Sequence, residues 1–112
     1  MKKIEAIVRP SKLEALKEAF LKAEIKGMTI SEVHGCGNQH GWKEFYRGSE
    51  VIINMLPKIK FEVVTNDDRV DELVNLIIET AKTGEVGDGK IFVLPVEGVV
   101  RIRTNENGEI AI

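Results

Sequence analysis

The segment Gly84-Glu85-Val86-Gly87-Asp88-Gly89-Lys90 places three glycines and a lysine within seven residues. That spacing satisfies a phosphate-binding P-loop as far as its lysine. Small residues let consecutive backbone N–H groups face an anion, and an ammonium adds a compact positive charge. Ile91, however, stands where a serine or threonine hydroxyl would ligate magnesium. The surrounding periodicities also give helix, loop, strand rather than strand, loop, helix. The pattern argues against an ordinary P-loop NTPase and leaves two readings, an anion cradle of another kind or a plain glycine-rich turn.

Arg101-Ile102-Arg103 adds to the anion reading. On a strand, two such guanidiniums project from one face about 6.6 Å apart, a spacing suited to clamping a polyphosphate, and solvated edge-strand charges are the other reading. His34, Cys36 and His40 carry metal-binding donors, but their spacing fits no standard zinc pattern. A buried Cys36 with ordinary loop histidines is the expectation. A phosphotransferase using His34 or His40 as nucleophile is the alternative function, although nothing in the sequence positions a second group to assist. Trp42, Phe45 and Tyr46, three of the six aromatic residues, stand beside Arg47 in a polar stretch bounded by glycines. These are the residue types of binding hot spots, so the cluster reads either as a docking patch or as packing for a loop base.

Lys3 to Arg9 alternates as a short strand with Ile4, Ala6 and Val8 on one face, and Pro10 ends it. Ser11 and Glu14 form a capping-box pattern ahead of Leu13, Leu16, Phe20 and Ala23, an amphipathic helix stopping near Gly27. Met28 to Gly35 reads as a second strand. A long, mobile connection follows, with Val51 to Leu56 as a returning strand, an interruption at Pro57, and a third strand over Ile59 to Thr65. Asn66, Asp67 and Asp68 are cap candidates for a helix whose apolar stripe is Val70, Leu73, Val74, Ile77, Ile78 and Ala81. Ile91 to Val96 and Val99 to Arg103 then read as strands. The order predicts an α+β, ferredoxin-like βαββαβ fold with an antiparallel sheet, both helices on one face, and a short C-terminal strand. Apolar residues on the sheet's other face imply that another subunit covers it.

With 112 residues, 43% of them apolar and 30% charged, the chain suits one domain with a core of its own. A formal net charge of −2 argues against nucleic acid or anionic lipid as a partner. One cysteine allows no internal disulfide, which fits a reducing compartment. The longest apolar runs fall far short of the roughly 20 residues of a spanning helix, and Glu5 and Arg9 break any signal-like stretch. A cytoplasmic protein without direct lipid insertion is expected.

Tyr46-Arg47-Gly48-Ser49-Glu50, Leu56-Pro57-Lys58, Thr83 through Val93 and Arg101-Ile102-Arg103-Thr104, spaced as they are over residues 1–112, resemble the PII nitrogen-regulatory signal transducers. The resemblance implies a homotrimer of single PII-type domains whose clefts between neighbours bind ATP or ADP, with 2-oxoglutarate joining ATP and Mg2+. It implies a T-loop at about 37–55, a B-loop at about 82–90 and a C-terminal loop at about 101–108. Thr29 and Val64 would lie by the adenine. Gly37, Asn38, Gly87, Asp88, Gly89 and Lys90 would lie near the phosphates, with Arg101 and Arg103 reaching from the adjacent subunit. Gln39 would meet the magnesium-bound 2-oxoglutarate beside Gly87, and Lys58 would pair with its distal carboxylate.

The T-loop, with Trp42, Phe45, Tyr46 and Arg47, would dock on an ammonium transporter, a nitrogen-metabolism enzyme or a transcription regulator. Docking on a transporter would bring the protein to the membrane. Val51 stands where many relatives carry a uridylylated tyrosine, and Tyr46 matches a different position. Ser49 matches a site phosphorylated in some photosynthetic relatives. Asn38 replaces a common arginine, removing one phosphate-facing charge. The combination of Asn38, Trp42 and Val51 is similar to the unmodified, ammonium-channel-associated type. A non-enzymatic sensor of nitrogen and energy status is what the resemblance predicts.

Overall fold

A computed structural model describes residues 1–36, 42–46, 49–53 and 55–112, with 42–46 and 49–53 described by their backbone. Strand β1 (Lys2–Val8) alternates as its sequence requires: Ile4, Ala6 and Val8 are at most 2% exposed and face the helices. Helix α1 (Leu13–Lys22) leads to β2 (Thr29–Gly35), and a hairpin of β3 (Trp42–Tyr46) and β4 (Ser49–Ile53) precedes β5 (Leu56–Thr65). Helix α2 (Val70–Ala81) and β6 (Lys90–Pro95) follow β5. The main sheet is antiparallel, in the order β2-β5-β1-β6. With two helices, this is the ferredoxin-like α+β plan.

The core lies between the sheet and the helices. Ile59, Phe61 and Val63 of β5 pair across from Val8, Ala6 and Ile4, and meet Leu16 and Phe20 of α1 and Leu73, Ile77 and Ala81 of α2. The rings of Phe20 and Phe61 stand 5.8 Å apart, tilted by 59°, a favourable edge-on arrangement. Ile78, read as part of the buried stripe, is exposed at the helix flank. The sheet's other face is mixed rather than simply apolar. Lys3 pairs with Glu5 at 3.3 Å and Glu62 at 3.1 Å, Lys60 reaches Glu62 at 3.6 Å, and half-exposed Phe92 and Leu94 lie alongside.

Several local expectations change. Ser11 does not cap α1; it sits inside a 3-10 turn, Pro10–Lys12, and Glu14 pairs with Lys17. The helix ends before Gly27. Glu24 turns left-handed at φ 65, its N–H donates to Leu21 O, and the Ile25 N–H donates to Phe20 O. This is a Schellman stop, with buried Ile25 as its apolar contact.

Asn66, Asp67 and Asp68 supply no side-chain cap, and a 3-10 turn, Asp67–Arg69, leads into α2. Pro57 does not interrupt β5. It pairs opposite His34 at a point where β1 has already ended, so β5 carries a ladder on one side only there, the edge-like setting in which proline is tolerated. Residues 42–46, read as loop, form a strand in register with 49–53. Val99 to Arg103 does not form a strand; a single bridge, Val100 to Asn107, pins a turn, and a further 3-10 turn spans Gly108–Ala111.

Candidate anion-binding cleft

The loop from Thr83 to Gly89 is folded around the carboxylate of Asp88. That group accepts hydrogen bonds from the Thr83 N–H at 2.8 Å, the Thr83 hydroxyl, the Gly84 N–H at 2.9 Å and Arg9 Nε at 3.0 Å. These donors, the Thr83 hydroxyl foremost, hold the Asp88 carboxyl well below the usual range. At Gly89, with φ 103, an added Cβ would run into the carbonyl of Ile7, so only glycine lets the loop rejoin the sheet here.

Two cations take the loop's carbonyls. Arg9 Nη2 donates to Val86 O at 2.7 Å, and Lys58 Nζ donates to Gly87 O at 2.7 Å. A trans peptide points its N–H opposite its C=O, so the amides of Gly87 and Asp88 turn away from those two cations. Lys58, in β5, is only 9% exposed. Its burial, and then the charge of Arg9, push its pKa down. The result is a cleft of about 500 Å³ walled by Ile7, Gly35, Lys58, Gly87, Gly89, Lys90 and Phe92. Its chemistry is an aliphatic and aromatic floor with two ammonium groups and a glycine-rich backbone at its edge, which suits an anion carrying a flat apolar group.

Of the residues expected at a ligand site, Lys58, Gly87, Gly89 and Lys90 meet at this cleft, and Asp88 braces it from within the loop. Thr29 and Val64 do not. They lie at the far ends of β2 and β5, six residues from Gly35 and Lys58, a separation of about 20 Å along extended chain. Arg101 and Arg103 are also elsewhere, and they are not neighbours on one strand face. Arg101 donates from Nη1 to Glu106 at 3.0 Å and from Nη2 to Ile110 O at 3.0 Å, while Arg103 is exposed in the turn.

Cys36 is exposed rather than buried, because it follows the last residue of β2 at the cleft wall. His34 is exposed on β2 and is not part of that wall. Gly37, Asn38, Gln39, His40 and Arg47 lie outside the described residues, and Trp42, Phe45 and Tyr46 are placed by backbone in β3. Among the described residues no group of three or more His, Cys, Asp or Glu is arranged to hold a metal ion, and no helix is long and apolar enough to cross a membrane. Arg9 was not legible as a site residue: its partners are 77 and 79 positions away, and nothing local marks it.

A family model described as Nitrogen regulatory protein P-II matches residues 1–106. The chain belongs to the P-II family. It is 53% identical over 112 residues, the whole of both chains, to the nitrogen regulatory protein P-II of Pasteurella multocida. It is 54% identical over the same full length to that of Nostoc punctiforme, and 53% to P-II 1 of Escherichia coli K12. These P-II proteins are named as regulators, not enzymes. Membership assigns the chain to non-enzymatic nitrogen signalling, and the phosphotransferase alternative is set aside.

Proposed function

We propose that the chain is a sensor of nitrogen and energy status that binds ATP or ADP, and 2-oxoglutarate together with Mg-ATP, in the cleft beside the 83–89 loop. The observation that carries this reading is the pair of bonds by which Arg9 and Lys58 draw off the carbonyls of Val86 and Gly87. They leave a cationic, glycine-lined edge for phosphate above an apolar floor for a base.

One chain supplies two half-sites. The first holds Lys58, Gly87, Gly89 and Lys90; to the second we assign Thr29 and Val64, about 20 Å away along the strands, together with Arg101 and Arg103 of the C-terminal turn. A homotrimer brings the second half of one copy to the first half of the next, placing adenine by Thr29 and Val64 and adding the two guanidiniums to the phosphates. The mixed, half-exposed sheet face is then covered by neighbouring copies.

Asp88 is fully engaged by Thr83, Gly84 and Arg9, so it is not offered to a metal. Mg2+ fits instead among ligand phosphate and carboxylate oxygens with Gln39, while Lys58 receives the distal carboxylate of 2-oxoglutarate. Gly37 and Asn38 complete the phosphate edge. Trp42, Phe45, Tyr46 and Arg47, on and beside the β3–β4 hairpin, form the docking surface for an ammonium transporter, a nitrogen-metabolism enzyme or a transcription regulator. Ligand state selects among hairpin arrangements through differential contacts. The unmodified, channel-associated type is the member of the family that Asn38, Trp42 and Val51 favour.

Titration calorimetry tests this. ATP and ADP are expected to bind without appreciable turnover, and 2-oxoglutarate only when Mg-ATP is present. Lys58→Ala is expected to lose the acid while keeping much of the ATP affinity; equal loss of both would contradict the role given to Lys58. With labelled ATP, acid-labile phosphohistidine would favour the phosphotransferase reading, and none is expected.

A further inference from the structure

Arg9 closes β1, and its guanidinium crosses to a loop more than seventy residues later in the chain. Nε donates to the Asp88 carboxylate at 3.0 Å and Nη2 donates to Val86 O at 2.7 Å. The two acceptors flank Gly87, so one side chain grips the loop on either side of its glycine. Its forked geometry is what makes this possible, since donors on one planar group reach a carboxylate and a carbonyl at once. Asp88 ties Thr83 and Gly84 to the loop and Lys58 holds the Gly87 carbonyl, but among the bonds described Arg9 alone takes the Val86 carbonyl and grips both sides of Gly87. Gly84, Gly87 and Gly89 all take positive φ, and each glycine is free to leave that conformation unless its surroundings fix it.

We propose that Arg9 is a positioning residue, which holds the 83–89 loop in its anion-receiving shape before any ligand arrives and never touches the ligand itself. The inference rests on the reading of this loop as a phosphate site. Its logic is preorganisation: a loop already ordered does not lose that freedom on binding, and the anion is held more tightly for it. The Val86 carbonyl is the lever. Held by Arg9, it fixes the plane of the 86–87 peptide and with it the direction of the Gly87 N–H.

The experiment compares wild type with Arg9→Gln and Arg9→Lys by ATP calorimetry and by amide hydrogen exchange in the nucleotide-free protein. Arg9→Gln is expected to raise the ATP dissociation constant about tenfold, because the loop must then be ordered at the expense of binding. Arg9→Lys, able to keep only one of the two acceptors, is expected to fall between. In both variants the amides of residues 84–89 exchange faster without nucleotide, while core amides such as Phe61 and Leu73 keep their protection.

Unchanged ATP affinity in both variants of a protein whose wild type binds ATP overturns the proposal. So does weaker binding with unaltered loop exchange, which is the signature of a direct phosphate contact, and so does faster exchange spread through the core. Should Arg9→Gln fail to fold, Arg9→Lys carries the test alone. A wild type that does not bind ATP defeats the phosphate reading instead, and loop exchange still decides whether Arg9 holds the loop.

Discussion

Gly89 is the residue at which backbone geometry leaves least choice. With φ 103 and the Ile7 carbonyl where a Cβ would stand, Gly89→Ala must move either the loop or β1. A destabilisation of roughly 1–3 kcal/mol in thermal or denaturant unfolding is expected, with loss of nucleotide binding. Gly84→Ala shares the positive φ but meets open space, so about 1 kcal/mol of conformational cost is expected there. Asp88 supplies a pH signature with a fixed sign. Its folded pKa is depressed, so the order it gives the loop is present above the ordinary aspartate range. That order is lost only as pH falls through the folded value, below that range. Amide shifts of Thr83 and Gly84 followed by NMR into acid should stay flat through the ordinary carboxylate range. A transition at the ordinary aspartate value would show that these donors do not hold the carboxylate. The glycines and Lys90 were legible in the sequence because their spacing is local; Arg9 was not, because its meaning depends on a partner brought near only by the fold.

At the scale of elements, α1 ends on a strained residue. Glu24 occupies the left-handed position that glycine usually fills, so Glu24→Gly is expected to stabilise the protein by about 0.5–1 kcal/mol. Phe20→Ala removes a side chain that is 1% exposed and packed edge-on against Phe61, and about 3–5 kcal/mol of loss is expected in denaturant unfolding. The helices and four main strands were readable because their apolar residues repeat at periods of 3.6 and 2, and burial follows that repeat at Leu16, Phe20, Leu73 and Ile77. Boundaries were less readable. Pro57 reads as an interruption only if both sides of β5 carry a ladder, and one does not. Val99 to Arg103 alternates like a strand, but alternation creates no strand without a partner, and the segment turns back on itself to meet residues 105–110, with Val100 to Asn107 its one bridge among the described residues. The 42–46 strand was hidden because its alternation lies among glycines and polar residues, and only the pairing with 49–53 brings it out.

At the scale of the whole molecule, the proposal to test is that one ligand is shared between copies, with the cleft at Lys58 and Lys90 as one half of its site and Arg101 and Arg103 of the next copy in the other. Ligand at about 100 times its dissociation constant should then add about 2.7 kcal/mol of stability, read as a rise in Tm. The measurement that tests this claim most directly is complementation between two defective chains. Lys90→Ala disables the first half-site and Arg103→Ala the second, and each variant alone is expected to bind ATP poorly. Refolded together, they should form mixed assemblies in which about a quarter of the interfaces pair two intact halves, and high-affinity ATP sites should reappear in that proportion by calorimetry. If the mixture binds no better than either variant by itself, both halves of the site lie within one chain and the account is contradicted.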